Sequence, residues 1–203
     1  MTMAEAPLST GAKIGWAAGD FGFNIFWQAL NLLMMPFYTD VLGLDPALAG
    51  TVFLVASLWD GFADTIIGAI TDRTRSRWGS YRPYLIFASP VLVVAFVAAF
   101  LTPEAGQTGL FLYALLSQIF LRTAYSLVSI PYSALSARIS QDADERASMA
   151  GWRMVFAFAG GAAVTFAMPR LIAAFGGGGS NATYVIAAAL TGVVSLPFFW
   201  LVF

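Results

Sequence analysis

The sequence predicts an all-α integral membrane protein of six transmembrane helices with both termini in the cytoplasm. Three observations predict it. Of 203 residues, 59% are hydrophobic and only 10% are charged, against about 25% charged in a soluble domain. So few charges do not cover a water-facing surface, and lipid is therefore the solvent for most of the chain. Six stretches approach or exceed the roughly 20 apolar residues that a bilayer crossing needs. The positive charges fall in alternate connections, which is the pattern that sets orientation.

The six stretches are residues 14–38, 47–70, 83–101, 109–135, 149–175 and 182–203. Turn and charge signals separate them at 40–46, 72–82, 102–106, 140–146 and the glycine run 176–179. No long linker divides the chain, so residues 1–203 read as a single six-helix bundle. Residues 1–10 lack the basic and apolar blocks of a signal peptide, and the first stretch is expected to be retained as a helix. Of ten Lys and Arg residues, Lys13 precedes the first stretch, and Arg73, Arg75, Arg77 and Arg82 lie between the second and third. Arg138, Arg146 and Arg153 flank the junction of the fourth and fifth. The odd-numbered loops carry Asp40, Asp45 and Glu104, with Arg170 as the exception. The even-numbered loops and both termini therefore face the cytoplasm.

Composition also excludes chemistry. Cysteine and histidine are absent, which removes disulfides, thiol nucleophiles, Ser-His-Asp triads and the usual zinc sites. With carboxylates deep in the bilayer and no nucleophile or metal set beside them, an enzyme is not expected. A net charge of −1 gives no indication of nucleic acid as a partner.

Polar residues inside the spans are costly, about 2.5–3.5 kcal/mol for a charge at mid-membrane, and so mark a pathway or site. Asp20, Asn24, Gln28 and Asn31 share one face of the first span, at offsets of four, four and three. Ser57, Asp60 and Asp64 share a face of the second. Ser117, Gln118, Arg122, Tyr125, Ser126, Ser129 and Ser133 form a stripe on the fourth. Three such faces imply a shared water-filled cavity. Helix–helix glue is the competing reading, and the stronger one for an isolated serine such as Ser117. For Asp60 and Asp64 the balance reverses. Two carboxylates one turn apart cannot both stay ionised in low dielectric without a proton, a cation or an Arg to balance them. Asp60 and Arg122 each lie about 20 Å along their helices from the outer end, at 1.5 Å per residue, so an ion pair between them is geometrically open. Structural and functional readings of that pair weigh equally.

The connection after the second span reads Gly68-Ala-Ile-Thr-Asp72-Arg73-Thr-Arg75-Ser-Arg77-Trp78-Gly79-Ser-Tyr-Arg82-Pro83. It resembles the major facilitator loop motif, and more narrowly the glycoside–pentoside–hexuronide:cation symporter family, of melibiose permease type. Further matching pieces follow the family order: Gly19-Asp20-Phe21, Phe37-Tyr-Thr-Asp-Val-Leu-Gly-Leu44, Trp59-Asp60-Gly-Phe-Ala-Asp64, Ile130-Pro131-Tyr132, and Asp144-Glu145-Arg146 leading to Arg153. The likeness covers nearly the whole chain but only the N-terminal half of a typical member.

That resemblance implies one major facilitator half, a 3+3 inverted repeat, in a bacterial inner membrane. It implies cation-coupled transport of a sugar or glycoside. Asp20 matches a sugar-binding carboxylate and Arg153 a sugar-contacting arginine. Asp60 and Asp64 match a cation-site pair, open to Na+ or a proton, and Ser126 matches a hydroxyl beside it. Gly68, Asp72, Arg73 and Arg77 fall in the loop that latches the cytoplasmic side. Asn24, Gln28 and Ser129 join the sugar site through the polar stripes, and Trp27 and Tyr125 through their capacity to stack on a sugar ring. Three departures stand out. Ser129 replaces a second sugar-site aspartate, Ala63 replaces an asparagine, and Arg122 has no counterpart. Losing an aspartate and gaining an arginine shifts the site by two positive charges, which favours a proton over sodium and weakens the case for a melibiose-like galactoside. The last residues, 196–203, lie inside the sixth span. The expectation is a half-transporter completed by a missing C-terminal half or by a second copy as a homodimer. The alternative is a non-transporting membrane scaffold derived from such a half.

Overall fold

The computed structural model describes residues 9–139, 142–176 and 180–202, the side chains of 136–139 excepted. Six helices follow in order: α1 (Thr10–Pro36), α2 (Pro46–Arg73), α3 (Arg82–Ala98), α4 (Gln107–Ile139), α5 (Ala143–Ala174) and α6 (Asn181–Leu201). Among the described residues four of these, α2, α4, α5 and α6, are long and apolar enough to cross a membrane. The third, with 17 residues, is apolar but shorter. A π-helical turn, Phe37–Val41, carries α1 past Pro36.

The helix ends follow local chemistry. Ser9 caps α1 by accepting from the Ala12 N–H at 3.2 Å. Asp45 does the same for α2 through Ala47 at 2.8 Å, and Pro46 fills the first helical position, where no N–H is needed. Several boundaries differ from the sequence expectation by three or more residues, two of them in charged segments. The second helix runs on through Asp72 and Arg73, and α5 begins at Ala143 rather than residue 149. The cause of the second shift is Asp142, whose carboxylate accepts from the Glu145 N–H at 2.9 Å and so turns an expected loop into a first helical turn. The Arg138 side chain, Ser140 and residues 177–179, which figured in the sequence reading, lie outside the described residues.

The helices pair in a definite order. The first helix packs on α5 and α6, α4 packs on α2 and α3, and α3 packs on α6. The buried core is aromatic and aliphatic, with Phe26, Leu33, Phe37, Leu92, Phe96, Phe100 and Leu121 at its centre. Phe26 and Phe96 meet at 4.3 Å between ring centroids. The polar residues of α1 are left on the side facing α5.

Close helix crossings depend on glycines, of which Gly160 and Gly22 are two. A Cβ on Gly160 of α5 would stand 2.7 Å from the Phe21 carbonyl oxygen of α1. A Cβ on Gly22 would stand 2.9 Å from the Phe198 Cβ of α6. In the first case the obstacle is backbone, which does not move aside. Gly160→Val is therefore expected to force α1 and α5 apart. Overpacking of about 1–3 kcal/mol at roughly 2–4 °C per kcal/mol lowers the melting temperature by about 5 °C. Thermal unfolding in detergent checks this, and an unchanged melting temperature would mean the crossing is looser than these distances say.

Candidate functional site

Two acid–base contacts sit on one face of the bundle. The first joins α1 to α5. The guanidinium of Arg153 donates to Asp20 through Nε to Oδ2 at 2.6 Å and through Nη2 to Oδ1 at 3.0 Å. This two-pronged geometry is the strong form of an Arg–carboxylate contact. Tyr132 of α4 donates to the same Oδ2 at 2.5 Å. Asp20 is thus buried but has three donors. Trp16 stacks on Tyr132 at 5.3 Å, and the Arg153 guanidinium lies 5.2 Å from the Trp16 ring and 5.3 Å from Tyr132. A side chain on Gly19 would collide with Tyr132 at 2.7 Å, so glycine one residue before Asp20 lets the phenol reach the carboxylate.

This contact opens onto a cavity of about 700 Å³ between α1 and α5. Asp20, Asn24, Gln28 and Arg153 supply its polar wall, and Met154 and Phe158 its apolar one. Gln28 Nε2 lies 3.5 Å from Thr165 Oγ1 across the cavity. Asn31, the fourth member of the α1 stripe, turns back to the Trp27 carbonyl instead.

The second contact joins α2 to α4. Arg122 Nη1 donates to Asp60 Oδ2 at 2.9 Å, and Ser126 Oγ stands 3.5 Å from Asp60 Oδ1. Trp59 braces the same helix pair by donating to Thr123 Oγ1 at 2.9 Å. A smaller pocket of about 230 Å³ lies beside it, lined by Asn24, Trp27, Asp60, Asp64, Ser126 and Ser129, among others. Asp64 forms no ion pair among the described residues. One guanidinium against two carboxylates leaves room for one more positive charge. Asn24 lines both cavities, while its own amide donates to the Asp20 carbonyl at 2.9 Å.

Tyr125 and Trp27, with ring centroids 5.5 Å apart, line the smaller pocket together with Ser129 rather than the larger cavity. Tyr125 is packed into the core, edge-on to Phe23 at 5.9 Å; Trp27 remains partly exposed. The loop residues gather elsewhere. Asp72 accepts from the Tyr81 hydroxyl at 2.7 Å, and Arg77 lies 4.2 Å over the Trp78 ring. A Cβ on Gly68 would stand 4.0 Å from the Ile130 side chain of α4, and Arg73 closes α2. Gly79, at φ 94°, makes the turn that a residue with a side chain rarely adopts.

The structure thus brings together Asp60 with Arg122, the pair left open from their depth in the spans, and Asp20 with Arg153 and Asp60 with Ser126, residues grouped in the sequence only by the family resemblance. It adds residues the sequence reading did not single out for the site. Tyr132 was visible only as part of Ile130-Pro131-Tyr132, and Trp16 and Thr165 gave no polar-stripe signal. Tyr132 lies three residues beyond Ser129 on the α4 stripe, and that spacing was the available clue.

Comparison with known proteins follows the same direction. A family model described as MFS/sugar transport protein matches residues 15–203. An inner membrane symporter of Escherichia coli K12, YicJ, is 39% identical over 175 residues, covering 86% of this chain and 38% of its own length. A putative glycoside/cation symporter of the same organism, YagG, is 35% identical over 187 residues, or 91% of this chain and 41% of its own. The isoprimeverose transporter of Lactiplantibacillus pentosus is 31% identical over 195 residues, 94% of this chain and 40% of its own. The chain spans about two fifths of the length of these relatives.

Proposed function

The chain belongs to the MFS/sugar transport protein family, whose members are membrane transporters rather than enzymes, and from that premise we propose that it is one six-helix half of a symporter. The symporter carries a sugar or glycoside across the bacterial inner membrane together with a cation, a proton in preference to sodium. The carrying observation is the pair of acid–base contacts on one face, with Asn24 lining the cavities of both.

The helix pairing supports an inverted 3+3 repeat. Exchanging α1, α2 and α3 with α4, α5 and α6 turns the α1·α5 contact into α4·α2 and the α1·α6 contact into α4·α3, and returns α3·α6 to itself. Under that exchange the two ion pairs correspond with acid and base swapped: Asp20 of α1 on Arg153 of α5, Arg122 of α4 on Asp60 of α2. Six helices form one wall of a central cavity. A second six-helix half, the remainder of a longer chain or a second copy, supplies the other wall and shields these charges from lipid.

In this reading the larger cavity holds the sugar. Asp20 accepts from sugar hydroxyls and Arg153 donates to them, with Asn24 and Gln28 as further partners; Ser129, Trp27 and Tyr125 line the smaller pocket and meet the sugar only where it reaches past Asn24, which lines both. The smaller pocket holds the coupling ion. Asp60 and Asp64 share one added positive charge beside Arg122. Sodium would have to sit against that guanidinium, whereas a proton needs only a carboxylate oxygen. Asp72, Arg73 and Arg77, with Gly68 in the helix before them, form the cytoplasmic latch, which the halves release as they rock around the fixed site.

Uptake of a labelled glycoside into liposomes carrying the complete transporter tests the coupling. Accumulation is expected with an imposed pH gradient and not with a sodium gradient at fixed pH. Strong sodium stimulation that persists in Arg122→Ala would overturn the proton reading.

A further inference from the structure

Gln118 of α4 is completely buried, yet neither its amide nitrogen nor its carbonyl oxygen has a hydrogen-bond partner among the described residues. A buried polar group without a partner is costly, and membrane helices rarely leave one in place. One turn further along the same helix, Arg122 Nε is also buried and also unpartnered. The two residues are i and i+4 neighbours on one helix, so their Cβ atoms are about 5–6 Å apart. Helical side chains lean toward the N-terminus of their helix, so the long Arg122 side chain reaches back over the turn that carries Gln118. An unused N–H donor and an unused C=O acceptor thus lie one helical turn apart on the same helix.

The geometry points to Gln118 as a second docking station for the Arg122 guanidinium, used when Asp60 is neutral. This inference rests on the proposed coupling role of Asp60. With Asp60 ionised, its carboxylate holds Arg122 Nη1 at 2.9 Å. Once the pair has taken up a proton, the carboxyl group no longer attracts the guanidinium as an anion. Arg122 stays charged and needs another acceptor. Gln118 Oε1 supplies one without adding a second negative charge that would hold the guanidinium for good. Gln118 is a positioning residue: it acts on Arg122, not on sugar or ion.

Other acceptors around Arg122 suit this role less. The second and fourth helices run parallel, since Trp59 and Asp60 meet Thr123 and Arg122, and Gly68, about two turns further along α2, faces Ile130, about two turns further along α4. Asp64 therefore lies toward the C-terminal end of the pair, away from the direction in which Arg122 leans. Tyr38, from the π turn, already donates to the Ala114 carbonyl at 3.4 Å. Tyr125, on α4 itself, is held edge-on to Phe23.

A melting experiment on the complete transporter in detergent tests the inference without relying on transport. Gln118→Leu keeps the volume and removes both polar atoms. In the native background, with Arg122 on Asp60, it is expected to leave the melting temperature unchanged or raise it. In Asp60→Asn, which mimics the neutral carboxyl group and holds Arg122 only through an uncharged carbonyl, the same substitution removes the acceptor that Gln118 supplies. A fall of about 4 °C or more is expected there, at roughly 2–4 °C per kcal/mol. Gln118→Met repeats the comparison should the leucine variant fail to fold. A fall specific to the Asp60→Asn background supports the docking station. Equal shifts in both backgrounds, or none in either, overturn it, because Arg122 then finds Asp64 or water instead. Proton-driven accumulation by Asp60→Asn alone is a separate readout. If it is normal the coupling reading fails, whatever the melting curves give.

Discussion

Asp20→Asn and Arg153→Gln are each expected to weaken sugar binding by about 10- to 100-fold, while leaving the binding of the coupling ion much less affected. The estimate follows from the hydrogen bonds lost: about 1.5–3 kcal/mol for a bond to a charged group, with each 1.4 kcal/mol worth tenfold in affinity. The two residues face the 700 Å³ cavity from opposite helices and hold one another in a two-pronged contact. A sugar hydroxyl that enters must share the Asp20 oxygens with Arg153 and Tyr132, so the pair orients the ligand as well as binding it. Arg153→Gln is preferred to alanine because it keeps a donor near Asp20. Deleting the partner outright would leave a buried carboxylate without compensation, at a cost of about 3–5 kcal/mol. Titration calorimetry with the sugar decides the matter. Native affinity in both variants would remove this pair from the sugar site.

Much of this arrangement was legible in the sequence because membrane helices leave few places for charge. A span with Asp20, Asn24 and Gln28 at helical spacing has only one way to hide them, and the structure turns all three into one cavity. The Asp60–Arg122 contact was foreseen from depth alone, since both sit at similar distances along parallel helices. Other features depend on approach between helices, which spacing within one helix does not encode. The stacking of Trp16 on Tyr132 is one, and the phenol that reaches Asp20 past Gly19 is another. Tyr125 depends on such approach as well. It lies in the polar stripe of α4, yet its ring is largely held by Phe23, Phe26 and Trp27, so its part in any sugar contact is that of a wall. The early start of α5 was missed because a charged segment, Asp144-Glu145-Arg146, looks like a loop until Asp142 is recognised as its cap.

Asp60→Asn is expected to lower gradient-driven accumulation by 100-fold or more, on the order of the 2.7 kcal/mol that two decades represent, while sugar exchange between equal pools persists. The distinction follows from charge. Exchange needs only that the loaded cavity open to each side in turn. Accumulation needs a group that gains a positive charge on one side and gives it up on the other. In this chain Asp60 and Asp64 face one pocket, and Arg122 balances only one of them. With Asn at position 60, the charges of Asp64 and Arg122 sum to zero without any contact between them, and the pocket needs no further cation. Asp64→Asn removes the other carboxylate and leaves Asp60 fully matched by Arg122, so it is expected to uncouple in the same way. Each single neutralisation thus leaves one acid facing one base, and that equality is what stops the cycle from carrying charge. The check is the ratio of accumulated to external sugar under an imposed pH gradient, measured beside counterflow in the same vesicles. Accumulation at the native level in Asp60→Asn would place the coupling site elsewhere. Loss of counterflow together with accumulation would instead make Asp60 part of the machinery that opens and closes the cavity.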